Sequence, residues 1–168
     1  MTPSGLEYWK ISQFYGFRRA RRSGVLYMDH IHEAVRILQH LEVSPHAINA
    51  FYLHPLFQND TELLYFDPSG HDPEVIMRAM EYRHIANAYL PHDVQRVPKL
   101  SIFEEVNQML IADKVHNRWQ FEKHLRDKIE NSRRLDTYFK DWLFALGVGE
   151  DYYHELIELL NNPIPEGE

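Results

Sequence analysis

Two histidines and one aspartate carry the side chains with which this chain could bind a divalent metal ion. His30 lies in the first turn of one predicted helix, His54 near the end of the next, and Asp113 in a later helix. Imidazole nitrogens and carboxylate oxygens that converge from separate elements are ordinary ligands of such ions. Asp113 follows the apolar residues Met109–Ala112, where a buried carboxylate needs a partner. The alternative is a surface aspartate before Lys114 on an amphipathic helix, and spacing alone leaves both interpretations open.

A cluster of four arginines in five residues, Arg18–Arg22, precedes His30. A guanidinium group binds phosphate through two parallel hydrogen bonds, so this cluster suits a phosphate-rich ligand. A solvated turn balanced by nearby acids would have the same composition. The adjacent metal-ligand pattern favours the phosphate interpretation.

Helical patterns occupy nearly the whole chain and predict an all-α fold. Apolar residues recur at helical spacing, and capping residues or prolines mark the helix starts. The predicted starts are Thr2-Pro3 with a Ser4–Glu7 capping box, Asp29, Ser44-Pro45, Asp72-Pro73, and a Ser101–Glu104 capping box. The first helix is predicted to end near residue 17. Further helices are predicted over 118–130, 133–146 and 151–160, and loops over 66–72 and 92–100.

The composition narrows the class of protein. A chain of 168 residues fits one domain with a sizeable core. The net charge of -7 argues against general binding to nucleic acids, which requires clustered cations. With no cysteine there is neither a disulfide framework nor a cysteine zinc site. Because no signal peptide or bilayer-spanning run is visible, we expect a cytoplasmic protein with no membrane partner.

Three short blocks together resemble the HD phosphohydrolase superfamily, in particular the (p)ppGpp hydrolase domain of the RelA/SpoT family. The blocks are Arg21–His30, Tyr52–Asn59 and Ala112–Asn117. The spacing inside each block is that of the family, and the resemblance covers about residues 20–120. It implies a single HD-domain-like helical bundle over 1–168, padded by C-terminal helices over 121–160 and ending in a frayed tail, 161–168.

The resemblance also implies roles for individual residues. His30, His54 and Asp113 would be the metal ligands, with Mn²⁺ as the ion. Arg22 and Asn117 would lie where the family contacts its nucleotide. The Leu-His-Pro sequence is similar to virus-encoded members, which would place the protein in the host cytoplasm.

The second block departs from the family at positions that matter for chemistry. Pro55 replaces a metal-binding aspartate, and the amides Gln58-Asn59 replace an acidic pair. Amides do not act as general bases, so Asp60 or Glu81 is predicted to supply the missing acid. The alternative for Glu81 is an outward polar helix face. Pro55 also disfavours a helical conformation at His54, which predicts a kink or break there.

Three functions fit this pattern. The first is a metal-dependent phosphohydrolase acting on a nucleotide or an alarmone such as (p)ppGpp. The second is a catalytically inactive HD-fold module that binds a nucleotide or a protein. The third is a structural protein that has kept only the fold. The aromatic C-terminal helices fit either the core or the contact between subunits of a homo-oligomer.

Overall fold

The computed structural model describes residues 5–93, 96–128, 130 and 132–162 of the chain. Its α-helices are α1 (Leu6–Tyr15), α2 (Tyr27–His40), α3 (Pro45–Gln58), α4 (Asp60–Leu64), α5 (Pro73–Asn87), α6 (Glu104–His124), α7 (Ser132–Ala145) and α8 (Glu150–Asn161), with a 3-10 turn at Pro91–Asp93. Within these residues no strands pair into a sheet, and one isolated bridge joins Arg19 to Leu26. The prediction of an all-α fold is confirmed.

Helix α6 is the centre of the bundle, because it contacts α2, α3, α5, α7 and α8. Its residues 109–116 are buried in succession, around the whole circumference of the helix. A helix without an exposed face belongs to the interior of a protein. Helix α3 is buried in the same way over residues 50–57. Since α2, α3 and α6 all touch one another, side chains from the three helices can meet at one point.

Two of the predicted helix starts are confirmed. The Ser44 hydroxyl accepts a hydrogen bond from the Ala47 N–H at the start of α3. The Asp72 carboxylate accepts one from the Glu74 N–H at the start of α5, at 2.8 Å. In both helices a proline follows the cap, where its missing N–H costs no hydrogen bond.

The predicted cap of α2 at Asp29 is wrong. The helix begins two residues earlier, at Tyr27, so Asp29 lies in its first turn. The segment before it folds back on itself through backbone hydrogen bonds, among them one from the Tyr27 N–H to the Arg18 carbonyl. This turn satisfies the start of the helix without a side-chain cap.

The predicted boundaries of α6 are wrong at both ends. Phe103 rather than Ser101 is the N-cap, and the Ser101 hydroxyl accepts from the Phe103 N–H while donating to Glu81. At the other end α6 continues to His124, so residues 118–124 belong to the same helix. The buried side chains of Arg118 and Phe121 extend its inner face beyond the predicted boundary.

Helix α3 continues through Pro55 to Gln58, so the predicted break at His54 is wrong. The predicted loop over 66–72 is confirmed, since α4 ends at residue 64 and α5 begins at residue 73. Helix α1 ends at Tyr15, and Ser4 of the predicted capping box lies outside the described residues. Most of the predicted tail, from residue 163 onward, also lies outside them.

The C-terminal helices complete the core. Tyr138, Phe139, Trp142 and Tyr153 are buried, which confirms the core interpretation for these aromatic residues. Tyr152 is partly buried against the core, whereas Phe144 is 87% exposed, so the core interpretation is wrong for Phe144. In the described part of the chain, no helix has the length and apolar character needed to cross a membrane.

Candidate metal centre

The structure brings His30, His54 and Asp113 together from α2, α3 and α6. The Nε2 atom of His30 lies 3.1 Å from Asp113 Oδ1, and the Nε2 atom of His54 lies 3.6 Å from the same oxygen. The three ligand atoms all lie within 4.8 Å of one another. Ligands at about 2.1 Å from a shared ion lie roughly 3.0 to 3.4 Å apart at tetrahedral or octahedral angles. This His₂Asp cluster could therefore hold a metal ion.

A chain of hydrogen bonds fixes the ring of His30. Its Nδ1 lies 2.8 Å from Nδ1 of His116, whose Nε2 lies 3.2 Å from the Glu33 carboxylate. A carboxylate only accepts, so we assign the Nε2 proton of His116 to this bond and the Nδ1 proton of His30 to the other. With that proton on Nδ1, the neutral form of His30 has its lone pair on Nε2, the nitrogen that faces Asp113. Metal-binding histidines are ordinarily oriented in this way, through the ring nitrogen that does not bind the ion.

The ring of His54 is held by the backbone. Its Nδ1 lies 2.6 Å from the carbonyl oxygen of Phe51, and a carbonyl only accepts. The lone pair of His54 is therefore also on Nε2, and also faces Asp113. Burial lowers the pKa of His54 to about 4, although the Asp113 charge opposes that change. At neutral pH the ring is uncharged and ready to bind an ion.

Asp113 is held in its ionised form by the neighbouring Lys114. Burial alone would raise the pKa of the Asp113 carboxyl, but the adjacent Lys114 charge holds that pKa well below its ordinary value. Lys114 is itself buried, with its Nζ 3.0 Å from Asp113 Oδ2 and 3.2 Å from the Tyr138 hydroxyl. The lysine thus occupies one carboxylate oxygen and leaves Oδ1 for the two histidines.

The donor set fits a cation. Two imidazole lone pairs and one carboxylate oxygen face a common point, and such acceptors repel unless a positive charge lies among them. A carboxylate and two histidines form a ligand set suited to Mn²⁺, Fe²⁺ or Zn²⁺. The tautomers assigned above and the ionised Asp113 are the protonation states that metal binding requires.

A cavity of about 380 Å³ opens onto these ligands. Its polar lining includes the amide side chains of Gln58, Asn117 and Gln120, together with His116. Asn117, one turn after Asp113, donates to Asp113 Oδ1 at 3.1 Å. Its apolar lining includes Tyr15 and Tyr27, whose rings stack with centroids 5.1 Å apart. Among the described residues that line the cavity, Asp113 is the one carboxylate.

Arg22 lies in a neighbouring cavity, of about 660 Å³, rather than beside the metal ligands. Lys128 and Arg134 line that cavity with it, as does one acid, Glu130. Leu125, just after α6, and Leu135, in α7, line both cavities, so the two spaces are neighbours. Other arginines of the cluster bind nearby carbonyls; Arg19, for example, donates to the Gly24 carbonyl.

Neither Asp60 nor Glu81 belongs to the cluster of His30, His54 and Asp113 or lines the cavity beside it. The exposed Asp60 pairs with Arg83, and Glu81 accepts a hydrogen bond from the Ser101 hydroxyl at 2.7 Å. The polar stretch around Glu81 instead caps the end of α3. Arg83 and Asn87 both donate to the Gln58 carbonyl, at 3.0 Å. The structure therefore brings together the three predicted ligands and Asn117, but not the two acids.

Sequence reasoning gave no role to His116, Glu33 or Lys114. Two of them stand at helical spacing from a predicted ligand, His116 three residues after Asp113 and Glu33 three residues after His30, whereas Lys114 directly follows Asp113. Residues three apart lie on the same helix face, so this spacing is the signal that could have found His116 and Glu33. His32, by contrast, points away from the cluster as its spacing predicts, and bonds to Tyr8.

No family model, no curated protein and no solved structure matches this chain.

Proposed function

We propose that this protein is a divalent-metal-dependent phosphohydrolase that acts on a nucleotide or an alarmone such as (p)ppGpp. The observation that supports it is the convergence of His30, His54 and Asp113 beside a cavity. The same three residues are those that the resemblance to the HD superfamily implies as ligands. A bundle of the HD type is part of this proposal.

The number of ligands favours catalysis over a purely structural ion. Structural zinc sites are closed by four protein ligands, whereas catalytic sites keep positions open for water and substrate. The described residues supply three protein ligands, and the cavity leaves space beside them. A divalent ion there, Mn²⁺ in this proposal, would supply a water of lowered pKa and polarise a phosphoryl oxygen.

The protein's own groups would bind and orient the substrate. Asn117 lines the cavity next to Asp113, where its amide can donate to a substrate oxygen or hold the carboxylate. The stacked rings of Tyr15 and Tyr27 offer an apolar wall for a flat base. Arg22, with Lys128 and Arg134, lines the adjoining cavity, and guanidinium groups there suit the phosphates of a nucleotide.

The amides in the cavity favour a second candidate, a module that binds a nucleotide without hydrolysing it. Gln58 stands where the family has an acid, and its side chain lines the cavity. An amide can bind a ligand but cannot remove a proton from water at neutral pH. In such a module the metal and the cavity would hold the nucleotide, and a protein partner would recognise the nucleotide-bound form.

Metal content comes first in testing these proposals. We would measure divalent ions per chain by elemental mass spectrometry, in protein purified without chelator and after incubation with Mn²⁺. We expect about one ion per chain in the wild type and none in His30→Ala/Asp113→Ala. The matched control, His46→Ala/Asp72→Asn, removes an exposed His–Asp pair at 3.2 Å while keeping a capping residue, and should retain the ion.

Hydrolysis is tested next on the Mn²⁺-loaded protein. Release of phosphate or pyrophosphate from nucleoside di- and triphosphates and from (p)ppGpp, lost in the double variant, would support the enzyme. Metal binding and nucleotide binding without hydrolysis would support the module instead. Absence of metal in every preparation would refute both proposals.

A further inference from the structure

Pro55 changes the hydrogen bonding of the helix that carries His54. In an α-helix each N–H donates to the carbonyl four residues earlier, so the partner of residue 55 is Phe51. Proline has no N–H, and the Phe51 carbonyl therefore receives no hydrogen bond from position 55. Phe51 is fully buried, so water is not at hand to replace that bond. A buried carbonyl without a donor costs free energy.

His54 supplies the missing donor. Its Nδ1 lies 2.6 Å from the Phe51 carbonyl oxygen, and its ring packs on the Phe51 ring with centroids 4.4 Å apart. The centroid of the His54 ring also lies 5.1 Å from that of the Tyr82 ring. The ring thus packs against two aromatic residues, with Nδ1 at the Phe51 carbonyl and Nε2 toward Asp113.

We infer that Pro55 is a positioning residue for the metal centre, acting through His54. By withholding an N–H, Pro55 leaves the Phe51 carbonyl for the Nδ1 proton of His54, which fixes the tautomer whose Nε2 lone pair faces the ion. This inference rests on the proposed metal-dependent function and gives a role to the residue that replaces the family's aspartate. Pro55 thus replaces the aspartate of the family with a residue that orients the neighbouring ligand, His54.

The reasoning predicts a graded effect when the N–H is restored. In Pro55→Ala the amide of residue 55 would donate to the Phe51 carbonyl, which His54 would then have to share. A shared carbonyl holds the Nδ1 proton less firmly, so the other neutral tautomer, with its proton on Nε2, becomes populated. That tautomer cannot bind the ion through Nε2. Losing the group that orients a metal-binding histidine ordinarily weakens metal affinity about 10- to 100-fold.

Pro45 in the same helix offers a matched control. It occupies the first turn of α3, where the backbone N–H would have no helical partner. Pro45→Ala therefore restores an N–H to the same helix without touching the Phe51 carbonyl. Both substitutions remove a proline, so a difference between them reports the position and not the residue type.

The test combines tautomer and affinity. Nitrogen-15 chemical shifts of the His54 ring would be recorded in metal-free full-length protein at pH 7.5, with His54→Gln identifying the signals. Affinity for Mn²⁺ would be measured by calorimetry. We expect the Nδ1–H tautomer in the wild type and in Pro45→Ala. In Pro55→Ala we expect a mixture of tautomers, with affinity weakened about tenfold.

An unchanged tautomer and an unchanged affinity in Pro55→Ala would overturn the inference. Thermal unfolding of each variant checks that it is folded, and removing a proline from a helix interior is expected to leave the helix intact. If the wild type binds no ion, the proposed function fails. The nitrogen-15 chemical shifts would still show whether Pro55 affects the His54 tautomer. Failure of the proposed function and failure of this inference are therefore distinguishable.

Discussion

Burial of His54 predicts that the protein loses stability in mild acid. The pKa of this ring is lowered from 6.5 to about 4 in the folded state. Above pH 6.5 the ring is neutral in both the folded and the unfolded chain, so it favours neither. As the pH falls from 6.5 toward 4, His54 binds a proton in the unfolded chain but not in the folded chain, so the free energy of unfolding decreases.

The size of this loss follows from the two pKa values. At about 1.4 kcal/mol for each pH unit, the full difference between 6.5 and about 4 amounts to about 3 kcal/mol. Between pH 7 and pH 5 the contribution is about 2 kcal/mol. That is a large part of the 5 to 15 kcal/mol that stabilises a typical domain.

Urea unfolding with chelator present measures this contribution. We would compare the wild type, His54→Gln and His46→Gln at pH 7, 6 and 5. His46 lies in the same helix with its side chain 43% exposed, which makes it the matched control. The wild type and His46→Gln should lose about 2 kcal/mol more than His54→Gln over this range. If His54→Gln loses stability in parallel with the other two, the ring is not held neutral by burial and the reasoning is refuted.

Three further predictions concern the groups around the ligands. Asp113→Asn should abolish metal binding and lower the free energy of unfolding in urea by about 3 to 5 kcal/mol, because it leaves the buried Lys114 charge unpaired. The double variant Asp113→Asn/Lys114→Met should recover this stability but not metal binding. A double variant as unstable as Asp113→Asn would contradict the prediction. Glu33→Gln should weaken the affinity for Mn²⁺ about tenfold in calorimetry, although Glu33 is not one of the three ligands. The reason is that Glu33 orients His116, which in turn orients His30. Equal affinities would show that this chain of hydrogen bonds does not orient His30. Arg22→Ala/Arg134→Ala should weaken nucleotide binding without changing metal content, and a nucleotide thermal shift equal to that of the wild type would remove the phosphate role of that cavity.

Local signals in the sequence predicted the local structure. Ser44 and Asp72 cap their helices because a cap depends on residues two or three positions away. The same reasoning failed at α6, where burial on all sides removes the amphipathic pattern that marks a helix and its ends. At Arg118 the helix is held by a contact with Glu150 of α8, which no local sequence pattern indicates.

The residues of the candidate metal cluster could be predicted, but the groups that orient them could not. The resemblance of three blocks to the HD superfamily implies His30, His54 and Asp113 as ligands, and the structure brings these residues together in a cluster that could hold a metal ion. Glu33 meets His116 across 83 residues of sequence, a contact that depends on how α2 packs on α6. The continuation of α3 through Pro55 was also missed, since it depends on a side chain compensating for a backbone hydrogen bond.

The position of Lys114 has a consequence for the chain as a folding unit. Its amine bonds to Tyr138 and lies over the ring of Trp142, both in α7, while its neighbour Asp113 faces His30 and His54. Residues 20–120, which carry the sequence motifs, therefore do not bury their own interior side chains without α7 and α8. A fragment ending at residue 125 would expose a charged lysine and a broad apolar surface in place of α7 and α8. Such a fragment should be captured by chaperones or cleaved by proteases, and the ligand residues would lose their geometry although all of them are present.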